Sequence, residues 1–158
     1  MVNSKPGLVK NILFAWLLAG TLDILAAFAW FILAGGKDPS RVLVFIASGY
    51  FGKAAFAGGE EMIIAGLIFH YLVAFCFTVL FFFLYPSSVW FRKNILVTAI
   101  LFGGFTWLVM NLLVIPFSKI SSASFHLASV CIGISILIFL FAFPMLIIIR
   151  KYYRRAIS

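Results

Sequence analysis

The sequence predicts an all-α polytopic membrane protein: a bundle of four transmembrane helices, with an extra short interfacial or re-entrant helix between the first and second. Three observations predict it. Of 158 residues, 65% are hydrophobic and only 10% are charged, where a soluble domain carries about 25% charged residues. Four apolar stretches are long enough to cross the hydrocarbon core, which takes about 20 helical residues. Lys and Arg gather at the ends of those stretches. A soluble chain of this length could not bury so much apolar surface, so lipid is expected to be the solvent. A single transmembrane domain over residues 1–158 follows.

The first span covers residues 11–34 and is closed by the turn-forming run Gly35, Gly36, Lys37, Asp38, Pro39. It is too long for a signal-peptide core and no A-x-A pattern follows, so it is expected to remain as an anchor. Residues 41–56, RVLVFIASGYFGKAAF, are too few to span and too apolar to lie free in water. They are expected to form the outer interfacial or re-entrant helix, broken near Gly49 and Gly52. Glu60 and Glu61 precede the second span, residues 62–85, which Pro86, Ser87 and Ser88 end. Arg92 and Lys93 open the third, residues 94–117. The fourth, residues 127–149, stops at Arg150 and Lys151, with Pro144 as an expected kink. The apolar runs are continuous rather than alternating, which selects helices over a β-barrel.

Lys5, Lys10, Arg92, Lys93, Arg150, Lys151, Arg154 and Arg155 fall on one side, and Lys37, Arg41, Lys53 and Lys119 on the other. The richer side is expected to be cytoplasmic, which makes this a multi-pass protein of the cell inner membrane with both termini cytoplasmic. Trp90, Tyr152 and Tyr153 fit an inner aromatic belt, and Trp30 and Tyr50 an outer one. The net charge of +8 then reflects topology and contact with the anionic lipids of the bilayer. No motif supports nucleic acid as a partner. Cys76 and Cys131 lie inside apolar spans without metal-ligand spacing, and are expected to be small buried hydrophobes. A faint repeat pairs Lys10-Asn11-Ile12-Leu13 and Gly20 with Lys93-Asn94-Ile95-Leu96 and Gly103. It suggests a parallel duplication, with chance as the competing account.

Asp23, in the middle of the first span, is the candidate functional centre. A carboxylate there costs about 2.5 kcal/mol or more, so it is expected to face protein or water rather than lipid. Ala15, Ala19, Asp23, Ala26 or Ala27, and Trp30 share a helical face of small residues, which lets a neighbouring helix come close. Gly66, His70, Ala74 and Thr78 repeat that logic in the second span. By the helical rise, His70 lies about 13 Å and Asp23 about 17 Å below the outer ends of their helices, a shared depth. The third span offers Ala99, Gly103, Trp107 and Asn111, with Thr106 nearby, and the fourth Ser129, Gly133 and Ser135. The expected polar interior is Asp23, Thr21, His70, Trp107, Asn111 and Ser135. Lys53 is a candidate partner for Asp23 or for an anionic solute. Pairing with Glu60 or Glu61, or snorkelling to the interface, are its alternatives. Gly49, Gly52, Gly58 and Gly59 are candidate lid positions.

Three chemistries compete for Asp23 and His70: a hydrogen-bonded pair that fixes helix register, a proton- or solute-binding site, and a catalytic or metal centre. The last has little support, since the chain holds 2 His, with His126 expected in an outer loop, and no HExxH or nucleophile–base arrangement. No cofactor or metal is expected. Phe69, Phe75, Phe77, Phe81, Phe82 and Phe83 encircle the second span, which suits lipid contact and aromatic packing better than a cofactor site.

The segments LAGTLDILAAF, FIASGYFGKAAFAGG, GLIFHYLVAFCFTVLFFFLYP and WLVMNLLVIP together resemble a family of small bacterial four-helix integral membrane proteins of uncharacterised activity. The resemblance runs over most of the chain. It implies the same topology, and singles out Asp23, the glycine-rich segment with Gly49, Gly52, Lys53, Gly58 and Gly59, and His70. It implies no substrate. The favoured expectation is a membrane protein, not an enzyme, that binds or moves a small solute or protons through the Asp/His centre, as a homo-oligomer given its size. The alternative is a non-catalytic subunit or assembly scaffold that docks another membrane protein through its small-residue faces.

Overall fold

Backbone groups that cannot reach water must pair within their own segment, and the long apolar runs do so as helices. The computed structural model describes residues 7–114 and 127–155, and all regular structure among them is helical. Helix α1 (Leu8–Leu33) is followed by α2 (Ser40–Phe51), a 3-10 turn (Gly52–Ala57) and α3 (Glu60–Leu84). A second 3-10 turn (Tyr85–Ser87) and the short α4 (Val89–Lys93) lead to α5 (Ile95–Val109), which widens into a π-helical turn (Met110–Val114). The chain ends in α6 (Leu127–Ile136), a π-helical stretch (Leu137–Ala142) and α7 (Phe143–Arg155). The expected positions of Lys5, Lys119 and His126 lie outside the described residues.

Four helical stretches are long and apolar enough to cross a membrane: Leu8–Leu33, Glu60–Ser87, Ile95–Leu112 and Ser129–Arg154. In each, only 28% of the most apolar window is buried inside the chain, so most of its apolar surface points outward. Phe14, Leu17, Ile64, Ile68, Leu72 and Leu101 are among the exposed side chains. Cys76 and Cys131 are exposed too, contrary to expectation. When the outer surface is itself apolar, hydrophobicity no longer marks the inside.

Local chemistry sets the joints. Gly35, with φ +91°, closes α1 in a Schellman arrangement: its N–H donates to the Ile32 carbonyl and that of Gly36 to Phe31, both at 2.9 Å. The Asp38 carboxylate accepts from the Ser40 N–H (3.0 Å) and hydroxyl (2.7 Å), starting α2. Asn94 caps α5 by accepting from the N–H groups of Leu96 and Val97. Asn11, its partner in the faint repeat, lies inside α1 and donates to the Gly7 carbonyl instead. Helix α2 runs straight through Gly49, and the break falls at Gly52, whose φ of +65° and ψ of −147° suit glycine alone. Gly49 keeps helical geometry because its neighbours' hydrogen bonds outweigh a cost of about 1 kcal/mol.

Close approaches fix the packing. A Cβ at Gly66 would overlap the Leu43 carbonyl, so α2 lies directly on α3. A Cβ at Gly103 would come within 2.7–2.9 Å of Ile138, so α5 packs against the π-helical stretch before α7. Pro144, which lacks an N–H, sits at the start of α7 immediately beyond that widened stretch. The core gathers Phe77, Phe81, Phe82, Phe102, Phe141, Met145, Leu146 and Ile149, with Phe81 stacked on Phe102 at 4.2 Å. Half of the expected aromatic girdle of α3 thus turns inward, while Phe83 stays exposed. Tyr152 is also buried, and the Tyr153 hydroxyl donates to the Phe82 carbonyl at 2.7 Å. Tyr152 thus completes the core at this end, and half-buried Tyr153 links α7 to α3.

Candidate functional site

The crossing of α1 and α3 creates the site. Gly20 has no side chain, and a Cβ there would already lie 3.3 Å from the Tyr71 ring and 3.4 Å from Ala74. This closeness brings His70 Nε2 to 2.8 Å from the Gly20 carbonyl. A carbonyl only accepts, so Nε2 carries the proton and Nδ1 is the position left for a second one. The next residue adds two links: the Tyr71 hydroxyl pairs with Thr21 Oγ1 at 2.7 Å, and Trp16 Nε1 donates to the Tyr71 carbonyl at 2.7 Å. Consecutive residues of α3 therefore anchor three contacts to α1.

Asp23 lies three residues beyond Gly20, about one turn along α1. Its carboxylate and the His70 ring line a single cavity of about 100 Å³. Ile46 of α2, Phe69, Val73, Ala74 and Phe77 of α3, Thr106 and Met110 of the α5 arm, and Leu137 and Phe141 complete the wall. All four membrane-length helical stretches and α2 contribute, so the cavity is central. Its walls are otherwise apolar except for Thr106, whose hydroxyl donates to the Phe102 carbonyl and keeps its lone pairs. Asp23 has no hydrogen bond to another described residue, and the His70 ring is its electrostatic neighbour across the cavity. A water needs roughly 10–15 Å³ of such volume, so this space takes several waters or one small ion with part of its shell. It is well below the roughly 300 Å³ at which organic-ligand pockets begin.

The other expected site residues lie elsewhere. Thr21 belongs to the α1–α3 seam through Tyr71. Asn111 donates along its own helix to the Trp107 carbonyl at 2.9 Å, and neither residue lines the cavity. On the third span Ala99 and Gly103 are buried as expected, while Thr106 and Met110, each one residue before Trp107 and Asn111, line the cavity. Ser135 is exposed and donates back to the Cys131 carbonyl. Lys53 is exposed on the 3-10 turn, away from Asp23, and Glu61 accepts from the Gly59 N–H instead of pairing with it. Gly52 is buried, while Gly58 and Gly59 are exposed before α3. Of the expected outer segment, Ile46 is the residue that reaches the cavity wall. Tyr71 was missed, although a hydroxyl beside His70 in an apolar span was its signal.

Among the described residues, no group of three or more His, Cys, Asp or Glu side chains converges as a metal site would require. No protein-family model matches the chain, and comparison with curated proteins and with solved structures finds no match. The functional reading therefore stands on the geometry of the cavity alone.

Proposed function

We propose that this is a multi-pass protein of the cell inner membrane, with both termini cytoplasmic, that binds or moves protons or a small solute through the Asp23–His70 cavity. One observation carries the reading: a carboxylate with no hydrogen bond to a described residue shares a small central cavity with an imidazole. Such a carboxylate is costly in an apolar bundle unless something neutralises or solvates it. A proton, a small cation or ordered water would meet that cost. His70 holds α1 through Nε2 and exchanges a proton at Nδ1, so it changes charge without releasing the helix. Helix α2 acts as the interfacial or re-entrant lid on the outer side, with Ile46 between that side and the cavity and Gly52 as its hinge. A chain of 158 residues is short for a complete transporter, so a homo-oligomer belongs to the reading.

The test is proton flux into liposomes that contain a pH-sensitive dye and hold the purified protein under a potassium diffusion potential. Wild type should acidify the lumen, Asp23→Asn should abolish the response, and His70→Ala should reduce it. A folded Asp23→Asn variant with wild-type flux would remove the reading. The bundle would then stand as a scaffold for another membrane protein.

A further inference from the structure

A second pocket carries a different chemistry. It opens where α5 begins and α7 finishes, has a volume of about 510 Å³, and is lined by Ile95, Ile147, Arg150, Lys151 and Arg154. The last four are spaced i, i+3, i+4 and i+7, so α7 presents them as one face. Two isoleucines form an apolar wall beneath three cationic side chains. Arg92 lies at the same end, since it, Arg150 and Arg154 all act electrostatically on the Tyr85 hydroxyl. The four acidic residues of the chain are Asp23, Asp38, Glu60 and Glu61. Asp23 faces the central cavity and the others sit at the starts of α2 and α3, so the acidic side chains lie away from this end. Trp90 is 72% exposed, and the Lys93 ammonium lies 4.7 Å above its ring. An exposed Trp beside a Lys is the signature of headgroup depth in a bilayer.

We propose that this pocket is a binding site for one anionic phospholipid. Arg150, Lys151 and Arg154 hold the phosphate, and an acyl chain runs along Ile95 and Ile147. The cationic rim complements the phosphate, and the apolar wall suits a hydrocarbon tail, which a free anion lacks. The bound lipid bridges the first residue of α5 to the last turns of α7. Bulk attraction to an anionic leaflet would need only the charges; this site also needs the groove.

Native mass spectrometry of the full chain, titrated with phosphatidylglycerol or phosphatidylcholine in mixed micelles, tests the site. Wild type should retain one phosphatidylglycerol per chain at concentrations where phosphatidylcholine leaves no adduct. The Arg150→Gln, Lys151→Gln, Arg154→Gln triple variant should lose that affinity by about tenfold or more. A control triple variant at the other end, Lys37→Gln, Arg41→Gln, Lys53→Gln, should keep it. Ile147→Trp retains every charge and fills the groove from a position already 48% exposed, so it should lose the lipid without disturbing the core. Equal loss in the control triple variant, or full retention in Ile147→Trp, would overturn the proposal. Displacement of the lipid by millimolar inorganic phosphate would also overturn it, and would assign the pocket to a soluble anion.

Discussion

The imidazole of His70 donates through Nε2 to the backbone carbonyl of Gly20 across 2.8 Å, joining α3 to α1 about one turn from Asp23. The bond has a structural and a chemical consequence, and two substitutions separate them. His70→Ala leaves the second lone pair of the Gly20 carbonyl without a donor, at a cost of about 1–3 kcal/mol. Its thermal unfolding midpoint in detergent should fall. His70→Gln restores an N–H donor but not a titratable ring, so it should recover much of the midpoint while flux stays low. Wild-type flux in His70→Gln would show that protonation of the ring is not needed.

Neighbouring glycines of α5 give a sharper packing test. A Cβ at Gly103 would press on the backbone of Ile138, whereas one at Gly104 meets nothing within 4 Å. Gly103→Ala should therefore destabilise by about 1–3 kcal/mol through overpacking. Gly104→Ala should be neutral or stabilise by about 0.4–1 kcal/mol, because it restricts the unfolded chain. Equilibrium unfolding of both variants in mixed micelles measures the difference. Similar values would mean that α5 and the π-helical stretch are not held at this distance.

These glycines also mark how far the sequence could be read. Span length and charge placement made the four long helices legible, because crossing hydrocarbon leaves few alternatives. Asp23 and His70 were legible as a pair, because helical rise alone sets depth. Rotation about the helix axis was not. Trp107 and Asn111 looked suitable for the interior, yet Thr106 and Met110 line the cavity. Ala99 and Gly103 of the same expected face are buried, but which neighbouring positions reach the cavity depends on contacts such as Gly103 against Ile138, which are invisible without the partner helix. Lys53 is exposed just after the turn at Gly52, which agrees with its snorkelling alternative rather than with an inward partner for Asp23. The burial of Tyr152 was hidden because interfacial and core aromatics look alike in sequence.

The start of α2 should depend on pH through Asp38. The Ser40 hydroxyl and N–H, helped by Arg41, hold its carboxyl below the usual carboxylate range. A depressed folded value means that the contribution is complete above the unfolded value, near 4, and is lost as pH falls through the folded one. Amide exchange in the first turn of α2, corrected for intrinsic rates, should therefore quicken on acidification below about pH 4. Asp38→Asn can still accept at the cap but does not titrate. It should flatten that pH response while keeping protection near neutrality. An unchanged response in Asp38→Asn would assign it to another group.

The cavity itself can be tested without touching either ionisable residue. Thr106 is 3% exposed and lines the cavity from the α5 arm. Thr106→Val keeps the shape and removes only a hydroxyl that donates within its own helix, a bond that adds little to helix stability. Thr106→Leu adds bulk toward a space of about 100 Å³, at an overpacking cost of about 1–3 kcal/mol. If water or a small ion occupies that space, Val should retain flux and Leu should reduce it severely, with Asp23 and His70 both intact. If both variants lose flux equally, the Thr106 hydroxyl rather than the cavity volume is the requirement, and a polar relay replaces a filled chamber. If a folded Leu variant keeps wild-type flux, the cavity is not the route, and the Asp23 carboxylate must serve the bundle in some way other than transfer.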